Sequence, residues 1–140
     1  MKASRIAYLI FAWLFVAGVL LQVFFAGMVV VARQMNWENH IGLGHTLALP
    51  LILMLITAYL GKLPGRMKRI NWLLFAVYIL QADVLIFLRG TAPVLSALHP
   101  VLALVDFALG VALVLQATAL VRAKGSSKLN HLQPQGITGD

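Results

Sequence analysis

Apolar residues in this chain come in four long blocks rather than in the stripes of a soluble helix or the alternation of a half-buried strand. The blocks cover about 6–32, 41–60, 70–88 and 97–121. A helix needs roughly 20 apolar residues to cross a bilayer, and each block meets or approaches that length. A core of 140 residues cannot hide a chain that is 61% hydrophobic and 11% charged, because too little polar surface would remain to cover it. The pattern predicts an all-α fold: a polytopic membrane four-helix bundle.

The punctuation between blocks fixes the connections. Gly61-Lys62-Leu63-Pro64-Gly65 reads as a turn and helix break, since proline and glycine together cannot continue a helix. Gln34–Asn39 forms a short connection after the first span, with Trp37 as an interfacial anchor, and Arg89–Pro93 forms the turn after the third. Pro100 suits a first helical turn, and Pro50 is expected to kink the second span near its middle. Met1–Arg5 resembles the start of a signal peptide, but the apolar run behind it is too long and lacks a small-residue cleavage site, so it is kept as a span. Tyr8 and Trp13 are expected at a membrane interface, and Gly18 and Gly27 at close helix contacts. The transmembrane domain is placed at residues 1–122, followed by a flexible cytoplasmic tail over 123–140 that carries an isolated His131.

Charge supplies direction. Of the eleven basic residues, Lys2, Arg5, Lys62, Arg66, Lys68, Arg69, Arg122, Lys124 and Lys128 lie at one set of span ends, and only Arg33 and Arg89 at the other. By the positive-inside rule both termini are cytoplasmic. The net charge of +7 is then a topology signal, and no nucleic-acid partner is expected. With no cysteine, the chain has no disulfide, thiolate metal site or iron–sulfur cluster.

An offset of 59 residues pairs Trp13 with Trp72, Ala17 with Ala76, Leu21 with Leu80, Gln22 with Gln81, His40 with His99 and Leu43 with Leu102. The leucines carry little weight. The matched tryptophan, glutamine and histidine, in order at one offset, predict a duplicated two-helix hairpin with repeats over about 8–63 and 67–122. Both copies run in the same sense, so an approximate two-fold axis along the membrane normal can relate them. That axis would bring His40 and His99 to equal depth around a shared centre.

Two histidines so placed point to a metal or haem between helices. A b-type haem with His40 and His99 as axial ligands would make the protein an electron-transfer component, with Arg33 and Arg89 at the same rim to pair with propionates. Gln22 and Gln81 would line the site. Asp83 and Asp106 add ionisable groups of the kind that face a bundle interior or water, Asp106 being roughly 10 Å deeper than His99 at 1.5 Å per residue. His45, about 140° around the helix from His40, is a competing ligand or a proton-handling group. Gly42 and Gly44 beside these histidines predict a close approach of backbone to something bulky. Other uses of the same groups stay open. One is a non-haem site from His40, His45 and His99 with Glu38 or Asp83. Another is a site for a quinone or other lipid-soluble partner. A third is a set of plain interhelical hydrogen bonds in a non-catalytic accessory or scaffold subunit of a larger complex. Self-association is a further expectation, because four spans are few for a transport path. Ser96 beside His99 is read as a cap or loop residue, not a nucleophile.

Gln22 through Gly27, Trp37-Glu38-Asn39-His40 with Gly44, Gly61-Lys62-Leu63-Pro64, Gln81 and Leu98-His99-Pro100 resemble an uncharacterised family of small bacterial four-span membrane proteins. The resemblance covers most of 6–122, implies a bacterial inner-membrane location, and points to His40 and His99 as the site pair. A looser similarity connects the two-helix units to haem A synthase and other four-helix b-haem membrane proteins, although the Glu38/His40 spacing departs from the synthase motif.

Overall fold

A computed structural model describes residues 1–130, with side chains over 1–123. The fold is all-α. Its helices are α1 (Lys2–Val30), α2 (Trp37–Thr46), α3 (Ala48–Leu60), α4 (Gly65–Ile79), α5 (Leu85–Phe87), α6 (Pro93–Ser96) and α7 (His99–Asn130). A π-helical turn, Leu80–Val84, joins α4 to α5, and a 3-10 turn, Leu88–Gly90, follows α5. Four continuous helical segments are long and apolar enough to cross a membrane: Lys2–Val30, Trp37–Leu60, Gly65–Gly90 and Pro93–Ala123. The helix α7 takes in the first residues assigned to the tail. Residues 131–140, with His131 and the rest of that tail, lie outside the described residues.

The spans run up and down, each packed beside its neighbours in the chain. The first also packs against the last, through α1 and α7. Phe15, Leu51, Met54, Leu74 and Leu113 are fully buried between them. Residues of the same kind face outwards, including Trp13, Phe24, Leu104 and Leu115, as expected when the surroundings are hydrocarbon rather than water. Apolar burial gives little drive for association there, so close packing of small residues matters more. Gly18 lets Leu47 lie against α1, where a Cβ would overlap the leucine side chain. Gly110 does the same for Val16, whose Cγ2 is 2.9 Å from the position a Cβ would take. Gly27, also expected at a contact, has nothing within 4 Å.

At the basic end, the chain leaves α3 through Lys62 in a left-handed conformation (φ 48°), and the Leu63 N–H returns to the Ala58 carbonyl at 3.0 Å. Arg5 Nε donates to the Gly61 carbonyl at 2.9 Å and ties the turn to α1. Tyr8 is not an interface residue. It is fully buried and donates to Asn71 Oδ1 at 3.1 Å, because it faces α4, whose buried asparagine needs a polar partner. Trp13 does face outwards.

The opposite end is less regular. The helix α2 starts at Trp37, earlier than the expected connection allows, because the Asn36 side chain accepts the Glu38 N–H at 3.2 Å and caps it. The second span breaks at Leu47, three residues before Pro50. Proline removes one N–H and crowds the carbonyl of Thr46, one turn back, so the disturbance falls ahead of it.

The glycine contacts generate a stability test. Gly18→Val should lower the thermal midpoint in detergent by the equivalent of about 1–3 kcal/mol, the usual range for overpacking. Gly27→Val should leave it unchanged, and Leu47→Ala added to Gly18→Val should recover part of the loss. Circular dichroism melts check all three.

Candidate functional site

His40 lies near the start of α2 and His99 at the start of α7, each half-buried. Each turns one ring nitrogen to the first helix of its own pair. His40 Nδ1 lies 3.1 Å from the Gln22 carbonyl oxygen, and His99 Nδ1 lies 2.8 Å from that of Gln81. A carbonyl only accepts, so each Nδ1 carries the proton and each Nε2 is left with its lone pair. The two rings come together edge to face, with centroids 6.2 Å apart and planes at 65°. Trp37 packs edge-on against His40, its ring centroid 5.5 Å away.

Below the histidines the site becomes polar and incompletely satisfied. The side-chain oxygens of Gln22 and Gln81 are buried without a hydrogen-bond partner. Gln22 fits only because residue 44 is glycine: a Cβ there would lie 2.7 Å from Gln22 Nε2. Gly42 has nothing within 4 Å, so the expected close approach belongs to Gly44 alone. Tyr78, which sequence reasoning passed over, donates from its hydroxyl to the Gly44 carbonyl at 2.6 Å. A tyrosine well inside an apolar span was the available signal. Asp106 is fully buried on α7 near the Gln81 side chain, yet neither carboxylate oxygen makes a hydrogen bond of acceptable geometry.

The remaining candidates lie apart from this cluster. His45 and Asp83 are exposed and together line an open groove of about 480 Å³ on the flank of the bundle. Arg33, in a left-handed conformation (φ 55°), and Arg89 are both exposed. Ser96 is no cap: its hydroxyl donates to the Leu85 carbonyl at 2.6 Å and closes the turn between the third and fourth spans. Among the described residues, no three His, Asp or Glu side chains converge as metal ligands would. A two-histidine centre is a separate geometry.

Residues 22–87 match the model of a family of unknown function (DUF6220). The matched stretch contains Gln22, His40, Gly44, Tyr78 and Gln81, and ends before His99 and Asp106. No curated protein and no solved structure matches the chain, and the looser likeness to haem A synthase finds no support in these comparisons. What fold and site define together is a small four-span membrane protein with a polar cluster at one end, similar over its middle to an uncharacterised family.

Asp106 generates the prediction here. A buried carboxylate without partners destabilises a fold, and the residue 59 positions earlier is Leu47. Asp106→Leu should therefore raise the thermal midpoint, by the equivalent of about 1–3 kcal/mol. A drop in midpoint would mean that the carboxylate is bonded and contributes to the fold.

Proposed function

We propose that the protein is a non-catalytic accessory or scaffold component of a membrane assembly, built from two duplicated hairpins that histidine fastens at one end. The paired bonds support this: His40 to the Gln22 carbonyl and His99 to the Gln81 carbonyl, each spanning the same 18 residues. In each pair the imidazole closes the end far from the basic turns and holds the second helix of the hairpin against the first. Matched pairs at a 59-residue offset are what a gene duplication leaves behind. The basic residues orient this scaffold with both termini in the cytoplasm and the histidine end outside, in a bacterial inner membrane.

One specific observation favours a second reading, a b-type haem or other single metal centre between His40 and His99. Metal-bound imidazoles usually donate their second nitrogen to a carbonyl or carboxylate, and both histidines do so here. Two metal–nitrogen bonds of about 2.0 Å in a straight line, plus roughly 1.1 Å from nitrogen to ring centre on each side, put the centroids about 6.2 Å apart. The observed separation is 6.2 Å. In that case the fastening bonds set the tautomer, and the polar cluster below sets the surroundings of the metal.

Three measurements test these readings. As fasteners, His40→Ala and His99→Ala should each destabilise the detergent-solubilised protein by about 0.6–1.7 kcal/mol, the range of interhelical hydrogen bonds in membranes. Cross-linking in native membranes should capture a defined partner at fixed stoichiometry. A chain found only as free monomer would count against an accessory role. A reduced-minus-oxidised visible spectrum of protein expressed with ample haem decides the second reading. Split bands lost in both variants would establish a bis-histidine haem, and their absence from well-folded protein would remove it.

A further inference from the structure

The groove between His45 and Asp83 belongs to neither reading. His45 comes from α2 and Asp83 from the π-helical turn, and Ala82, Val84, Ile86 and Phe87 complete the wall. By helical rise, Asp83 lies roughly 10 Å in from Gly90 and His45 roughly 12 Å in from Trp37. With the span ends in the headgroup layer, both sit in the outer part of the hydrocarbon. The groove opens on the flank of the bundle, and Phe87 beside it is 86% exposed. Ionisable side chains are costly on a lipid-facing flank and ordinarily have a partner. The offset of 59 places Leu104 and Phe24 at the corresponding positions of the other hairpin. The polarity is thus particular to this flank. Asp83 is carried on the π-turn, and such turns recur at functional sites.

The pair specifies a ligand by its hydrogen bonds. A carboxylate only accepts, whereas an imidazole both donates and accepts. The complementary head therefore offers a hydroxyl to Asp83 and an oxygen to His45, and an apolar body to the wall. A phosphate headgroup is the wrong sign for Asp83. We propose that this groove binds the head of a lipid-soluble hydroquinone, reached sideways from the bilayer, with Asp83 accepting from one ring hydroxyl and His45 bonding the other oxygen. The oxidised quinone has no hydroxyl to give, and its carbonyl faces a carboxylate, so the reduced form binds more tightly. Binding alone is proposed, with no electron transfer. The site does not require that His40 and His99 hold a metal, although the His99 bond to the Gln81 carbonyl lies in the same π-turn as Asp83.

The full chain in phosphatidylcholine nanodiscs, kept anaerobic, provides the test. Decylubiquinol and decylubiquinone are each equilibrated with protein-containing and empty discs, and the retained amounts are compared. The expected result is one equivalent of quinol per chain above the empty-disc value and about tenfold weaker retention of quinone, the scale of a hydrogen bond to a charged group. Asp83→Asn should abolish the preference for quinol, His45→Ala should weaken both forms, and Leu115→Ala, on an exposed face of α7, should change neither. All three variants should keep their helical circular dichroism. Retention no greater than in empty discs would overturn the proposal. So would an unchanged preference in Asp83→Asn, or cross-linking through position 45 showing the groove covered by a second copy of the chain.

Discussion

Hydrocarbon offers no hydrogen bonds, so every main-chain polar group inside a bilayer must be satisfied by the protein itself. Continuous helices meet that condition at the basic half of this bundle. The histidine half departs from it, with a break at Leu47 and a π-helical turn over Leu80–Val84. Side chains supply what the backbone leaves open or exposed. Tyr78 donates to the Gly44 carbonyl, with the Ala48 amide facing the same hydroxyl across the break. His99 bonds the Gln81 carbonyl inside the π-turn, Ser96 bonds that of Leu85, and His40 bonds that of Gln22. The irregular helices and the polar residues of this end are one feature: each requires the other.

That dependence decides what could be read from the chain alone. The four spans were legible because length and hydropathy are what a bilayer selects for, and the Gly61–Gly65 turn was legible because its residues cannot continue a helix. His40 and His99 stood out because histidine is rare in an apolar run and the pair recurs at one offset. Tyr8 was not legible as a core residue. An aromatic near a span end looks the same whether it faces headgroups or Asn71, and only the packing of α1 on its neighbours separates the two. Gly42 and Gly44 are equally indistinguishable in sequence, although one faces open space and the other faces Gln22. The π-turn left no trace, since an extra residue in one helical turn changes no composition or periodicity that a short window can detect.

Polar groups at the two ends of the bundle are treated differently. Near the basic end Asn71 receives a bond from Tyr8 and keeps only its amide nitrogen unpartnered. At the histidine end four buried oxygens, from Gln22, Gln81 and both arms of Asp106, make no hydrogen bond of acceptable geometry among the described residues. A fold selected for stability alone has no use for these groups. Their concentration beneath the histidines marks the region where stability is given up for something else, as functional sites commonly do.

The fastening and metal-binding uses of the histidines draw on different nitrogens. Nδ1 of each ring is committed to a carbonyl on the first helix of its own hairpin, and that bond orients the ring. Nε2 of each ring takes no part in that bond, and the two rings lie 6.2 Å apart, centroid to centroid. A histidine that only fastens two helices needs no more than that bond, and two such rings can still pack edge to face. One that only binds metal still needs the fastening bond to hold its tautomer. The Nδ1 bonds are therefore common ground. What distinguishes a scaffold from a redox component is whether anything is bound at the two Nε2 atoms.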